Sequence, residues 1–180
     1  MRILGIFAAM ATIAVPATVA QTAWQRYTQP TGLTAEFPAE PERFDGRNES
    51  VKGRLIQLKR TMRAASYDFE ADFFLQAIIA DKPYNVDAKL KEFAAARGSA
   101  TSGEEMSRHR SLRPEEMPLP GMRGVEIVWT YDSFGDSGTQ VAYSRSMIVG
   151  NKWLTYSVRH YKSDKRWSHD RFFKSIGWKA

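Results

Sequence analysis

From residue 33 the chain alternates, with Leu33, Ala35 and Phe37 apolar and Thr34 and Glu36 polar between them. A period of two is that of a half-buried strand. Pro38 and Pro41 follow, and neither can donate to a β ladder, so the pattern predicts an edge strand that ends there and turns into a hairpin. Trp24 to Gln29 predicts a preceding strand. The same alternation returns in Ile56, Leu58, Met62 and Ala64, and again in Phe69, Ala71, Phe73, Leu75, Ala77 and Ile79. The short link Ser66-Tyr67-Asp68 predicts that these two runs pair as a hairpin.

After Asp81 the period changes. Val86, Leu90, Phe93, Ala94 and Arg97 follow helical spacing, with Asn85 or Asp87 as the cap and Gly98 as the stop. A strand is predicted over 104–110, then a loop through "RPEEMPLPG". Three further alternating runs follow. Val125, Ile127, Trp129 and Tyr131 share one face, as do Val141, Tyr143, Met147 and Val149, and then Leu154, Tyr156 and Val158. This parity assigns Trp129 to the core. Gly135 to Gly138 and Gly150-Asn151 are the predicted turns. Last, His169, Phe172, Phe173 and Ile176 form one helical stripe, with Ser163 as the predicted cap and Gly177 as the stop. Hairpins with two amphipathic helices predict an α+β domain, a mainly antiparallel sheet with helices packed on its faces.

The opening "WQRYTQPTGLTAEFPAEP", the long hairpin, the mid-chain helix and the closing "RFFKSIGW" together resemble the PsbP-like fold. That fold is shared by an extrinsic photosystem subunit, a Ran-binding nuclear-import factor and many exported bacterial proteins. The resemblance covers nearly all of residues 21–180 and rests on element order and the Phe37-Pro38 turn. It implies an antiparallel sheet with helices on its two faces, in a domain that binds or assists other macromolecules rather than an enzyme. No partner-binding residue carries over position by position.

Composition narrows the function classes. Met1-Arg2, the uncharged run from Ile3 to Val15, Pro16 and the small residues Thr18-Val19-Ala20 have the layout of a secretory signal peptide cleaved near Ala20. A periplasmic or secreted protein is expected, with residues 21–180 as a single domain. Cysteine is absent, so disulfides, thiolate metal sites and thiol nucleophiles are excluded. Charge is uneven. Residues 139–180 carry nine Lys or Arg against two Asp, whereas residues 21–138 are slightly acidic. A basic segment steers a protein toward an acidic partner or an anionic membrane surface, and nucleic acid is a poor partner for an exported chain.

Arg159, Lys162, Lys165 and Arg166, with Trp153 and Tyr161 among them, are the predicted contact residues, because Arg, Trp and Tyr are enriched in binding hot spots. The expected function is that of a non-enzymatic binding or accessory protein with no cofactor and no metal. Two alternatives have residues behind them. "GDSG" at 135–138 surrounds Ser137 as in trypsin-like proteases, but turn formers between two strands explain it. His160, Asp164 and His169 straddle a strand-to-helix turn and could meet as a metal or hydrolase site, although no His-x-His or His-x-x-x-His pair is present. The aromatic content also allows a carrier of a small apolar ligand. Glu36, Glu40 and Glu42 are read as solvated.

Overall fold

A computed structural model describes residues 23–64, 67–95, 104–132, 138–164, 166–167 and 169–179. The expected signal peptide, Ser137 and Lys165 lie outside the described residues. The elements in chain order are β1 (Gln25–Thr28), β2 (Leu33–Phe37), β3 (Glu42–Asn48), β4 (Gly53–Ala64), β5 (Tyr67–Ala80), α1 (Val86–Ala95), β6 (Glu104–Ser111), β7 (Arg123–Asp132), β8 (Thr139–Val149), β9 (Lys152–Tyr161), α2 (His169–Ser175) and β10 (Gly177–Trp178).

The strands form two antiparallel sheets. The larger has the order β3-β4-β5-β9-β8-β7-β6, and the smaller β1-β2-β10. β3, β4 and β5 run outside-in as a meander. The chain then crosses by way of α1 to the far edge and returns through β6, β7 and β8, so that β9 closes against β5 in the middle. Successive antiparallel runs need only short turns, and Gly150 (φ 55°) supplies the left-handed backbone that the β8–β9 turn requires.

The class is therefore mainly β, which corrects the expected α+β arrangement of helices packed on the faces of one sheet. The strands of the large sheet are 7 to 14 residues long, whereas α1 has 10 residues and α2 has 7. The second layer is chiefly the small sheet, which α2 joins rather than replaces. The closing helix starts with its stripe at His169, not near Ser163, because the chain is held in a turn first. The Asp164 carboxylate accepts the Arg166 backbone N–H at 2.9 Å, and Ser163 does not cap the helix.

β2 is also not an edge strand. It is the central strand of the small sheet, paired with β1 on one side and with β10 on the other. Pro38 and Pro41 are buried where the chain leaves that sheet for β3, the true edge strand of the large one.

The core lies between the sheets. The inner face of the large sheet offers Ile56, Leu58, Phe73, Leu75, Met147, Leu154 and Val158, and the opposing layer offers Leu33, Ala35, Phe37 and Phe172, all exposed by 1% or less. Aromatic edges lock the layers together. Phe172 meets Phe37 at 5.1 Å and Phe73 at 5.4 Å between centroids, and Phe173 meets Tyr156 at 4.9 Å. Alternation assigned these strands to the right face, with one exception. In β7 the register places Val125 opposite Ser146, Ile127 opposite Ser144 and Trp129 opposite Ala142, all on the outer face. Trp129 is half-buried there and not in the core. The inner face of β7 instead carries Glu126 and Val128.

Candidate functional site

The outer face of the large sheet turns away from the small sheet and reads in cross-strand rows. In the first row Ile78 of β5, Trp153 of β9 and Ile148 of β8 lie side by side. α1 closes this end, with Phe93 5.2 Å from the Trp153 ring and the Lys89 ammonium 4.1 Å over it. Asn85 caps α1, its Oδ1 accepting the Ala88 N–H at 3.0 Å.

The second row is polar: Gln57, Gln76, Thr155 and Ser146, ending at Val125. Gln57 Nε2 donates to Gln76 Oε1 at 2.8 Å, Trp153 Nε1 donates to Thr155 Oγ1 at 2.9 Å, and the Ser146 and Thr155 hydroxyls are 3.1 Å apart. The third row is Phe74, Ser157, Ser144 and Ile127. In the fourth, Arg159 of β9 donates to Asp72 of β5 at 2.6 Å, and Trp129 stands beyond Ala142.

Between α1 and the third row is an open hollow of about 340 Å³, lined by Gln76, Glu92, Phe93, Ile127, Trp129, Ser144 and their neighbours. The hydroxyls of Ser144 and Ser157, the Gln76 amide N–H groups and the Trp129 indole N–H make no hydrogen bond among the described residues. These side chains are half-buried and neutral, on the central strands of the sheet.

The inner face has a second polar cluster of a different kind. The Glu126 side chain, 2% exposed, accepts Arg108 at 2.6 Å, Arg110 at 3.0 Å and Arg145 at 2.8 Å. Glu116, in the short 3-10 turn Pro114–Glu116, accepts Arg110 at 2.7 Å and Arg145 at 3.0 Å. Burial by itself would raise the Glu126 carboxyl, but the hydrogen bonds of Arg145 and Arg110 outweigh it and hold it below the usual carboxylate range. Arg110 holds Glu116 far lower still. Burial pushes the neighbouring Tyr156 phenol up to about 12. Each of these carboxylates is already met by guanidinium groups, at the end of the inner face where the aromatic core stops and a recess of about 400 Å³ opens beside Glu116, Arg145 and Phe173.

His169 stacks on Tyr143 with ring centroids 3.7 Å apart and meets the Phe173 edge at 5.8 Å. The His160 ring lies 6.1 Å from Tyr143, with Nδ1 2.8 Å from the Tyr161 carbonyl oxygen, which assigns the proton to Nδ1. Asp164 turns to Arg166 at 2.6 Å. Among the described residues no three His, Asp or Glu side chains converge as metal ligands.

Burial lowers the His169 pKa below 6.5, partly offset by Asp170. The folded state thus favours the neutral ring. Its stabilising contribution is complete above about pH 6.5 and is lost as the pH falls through that value toward the lower folded pKa, because the unfolded chain takes up the proton first. Urea midpoints should fall between pH 7.5 and pH 5.5, and His169→Phe should flatten this part of the curve. The paired Glu116 and Glu126 contribute their own loss only below about pH 4.5.

The structure puts three of the contact residues expected from sequence on one face. Trp153, Arg159 and Tyr161 all point outward from β9. They do not form one patch, since Trp153 and Tyr161 stand at opposite ends of the strand, about 26 Å apart at ~3.3 Å per residue. Lys162 is exposed just beyond. Arg166 is tied to Asp164 and, at 3.0 Å, to Glu70. Tertiary pairing also answers the uneven charge of the sequence. Arg145, Arg159, Arg166 and Arg171 reach back to Glu116, Glu126, Asp72, Glu70 and Glu36 in the slightly acidic part.

Sequence reasoning missed the Ser144–Ser157 pair and the Glu126–Arg145 pair. Only the second left a signal: Arg145 interrupts an alternating run, and a Glu on an adjacent strand can neutralise it. Among known proteins, no family model matches the chain and no curated protein matches it.

Proposed function

We propose that the chain is an exported, non-catalytic binding module, and that it binds through the outer face of the large sheet at the hollow beside α1. One observation carries this reading: Ser144, Gln76 and Trp129 present neutral hydrogen-bonding groups, unpaired among the described residues, around a recess of about 340 Å³, and Ser157 stands beside it as the cross-strand neighbour of Ser144. Neutral polar groups that are open to water and unpaired within the fold can exchange that water for a ligand's hydroxyl or carbonyl groups. The recess falls within the ~300–1,000 Å³ range of ligand sites, and it stands on the central strands β5, β9, β8 and β7, which keep their geometry better than loops do. A second reading, contact with an acidic protein or an anionic membrane, is favoured by Lys162, which is exposed and has no side-chain partner among the described residues.

One experiment separates the two. A photoreactive side chain is introduced at Ser157, at Lys162, or at exposed Arg26 on the small sheet as a control, in a host that exports the chain. Adducts are expected from Ser157 well above the Arg26 level. Adducts from Lys162 alone would transfer the function to the charged end of β9, and none from either position would remove both readings.

A further inference from the structure

We propose that the hollow on the outer face is a site for a neutral glycan, with one sugar ring laid against Trp129 and Ile127 beside Ser144 and further rings leaving the hollow along the same row, past Ser157 toward Phe74. The inference rests on the reading of this face as the binding surface and names its ligand class.

The chemistry of the lining selects that class. Ser144 and Ser157 face one another directly across β8 and β9. A hydroxyl both donates and accepts, so it matches a sugar hydroxyl in either orientation. The Gln76 amide adds donors and the Trp129 indole one more, and none of these groups has a hydrogen-bond partner among the described residues. A purely apolar ligand would cover all of them and leave them unpaired, which is the costly outcome.

Inside the hollow an anionic ligand meets no cation, because Lys59, the exposed neighbour of Phe74 on β4, lies outside its lining. Glu92 is the charged residue in the lining of the hollow, the neighbouring Lys89 ammonium is paired with it at 2.6 Å, and Arg159 on the outer face donates to Asp72 at 2.6 Å. The lining thus lacks the guanidinium groups with which arginine-lined pockets take phosphate and carboxylate ligands. What remains is a molecule that is uncharged, rich in hydroxyls and apolar on its ring faces.

The aromatic side chains fit this description. The faces of sugar rings carry C–H groups, which pack on the negative face of an aromatic ring. Phe74 is the cross-strand neighbour of Ser157, and Trp129 lies one row from Ser144 on the next strand. Neither ring stacks on another ring or under a cation among the described residues. Trp153, by contrast, is covered by Phe93 and Lys89 and serves the fold. From β5 to β7 the row crosses three strand spacings of ~4.8 Å each, a length suited to a short oligosaccharide. The residues lie on a face with both strand edges distant, so an added β-strand from a peptide has no backbone to pair with here.

The test uses the purified protein, with the tetrasaccharides of glucose and of N-acetylglucosamine as neutral probes and a sulfated tetrasaccharide as the anionic control. Amide NMR should give saturable shifts at Gln76, Ser144, Thr155 and Ser157 with at least one neutral probe, at a Kd of roughly 10 µM to 1 mM. Trp129→Ala should weaken binding about tenfold or more, and the pair Ser144→Ala and Ser157→Ala about fivefold, while Lys162→Ala leaves it unchanged. Because Trp129 is half-buried, the serine pair decides the outcome if the tryptophan variant unfolds.

Absence of saturable shifts with both neutral probes up to about 10 mM would overturn the glycan assignment. So would tighter binding of the sulfated probe, or affinity untouched by the serine pair. Photoadducts at Ser157 without glycan binding would end the glycan inference and leave the binding face standing. Loss of both would end the two together.

Discussion

Glu126→Ala is expected to lower the unfolding free energy by about 3–5 kcal/mol, the range for removing one partner of a buried ion pair. Glu126 is 2% exposed and is the common acceptor of Arg108, Arg110 and Arg145, which come from the two strands flanking its own. Without it, Arg145, itself 13% exposed, keeps only Glu116 on its far side. Arg145→Met should cost less, because Glu126 then keeps Arg108 and Arg110. Replacing Glu126 and Arg145 together by apolar residues should recover part of the loss, since the cost lies in the unmatched charge and not in the pair itself. Urea unfolding of the three variants checks this ordering. Equal losses in all three would mean that the cluster is mere packing.

Phe172→Ala should cost a similar ~3–5 kcal/mol by leaving a cavity and should lower the melting temperature by about 10 °C. The ring is fully buried and bridges the layers, with Phe37 of the small sheet on one side and Phe73 of the large sheet on the other. Its helix also holds β2 through Ser175, whose hydroxyl accepts the Glu36 N–H at 2.8 Å. Loss of Phe172 should therefore loosen the small sheet first. Hydrogen exchange at Ala35 and Phe37 should accelerate more than at Leu75 and Leu154. Phe44 on edge strand β3 is 51% exposed, and Phe44→Ala should change stability by no more than about 0.5 kcal/mol. If the two phenylalanine variants melt alike, the layer contact is not where the stability resides.

Strands and their faces were legible wherever a run alternated cleanly. Leu33, Ala35 and Phe37, Ala71 to Ala77, and Leu154 to Val158 are buried as their period of two requires. Asn85 caps α1 as its position before Val86 suggests. β7 shows where alternation fails. Val125, Ile127 and Trp129 make the more apolar of its two faces, yet that face is the outer one. Parity distinguishes two faces but does not say which one meets the core, and the arginines that make it acceptable to bury Glu126 come from β6 and β8. The same limit applies to the binding face. Ser144 and Ser157 are 13 residues apart in the chain and look like ordinary polar positions until register sets them opposite each other.

By itself the sequence determined which segments extend, where the first helix starts, and that a cysteine-free chain must be held by packing. These are local consequences of side-chain period, caps and turn residues. Only the tertiary structure decided that β2 belongs to a second sheet, that the arginines of the C-terminal part are paired with carboxylates elsewhere in the fold, and that an open hollow lined mostly by neutral side chains is left on the outer face. Strand partnership and charge pairing join residues far apart in the chain, and no local period records which distant strand will lie ~4.8 Å away.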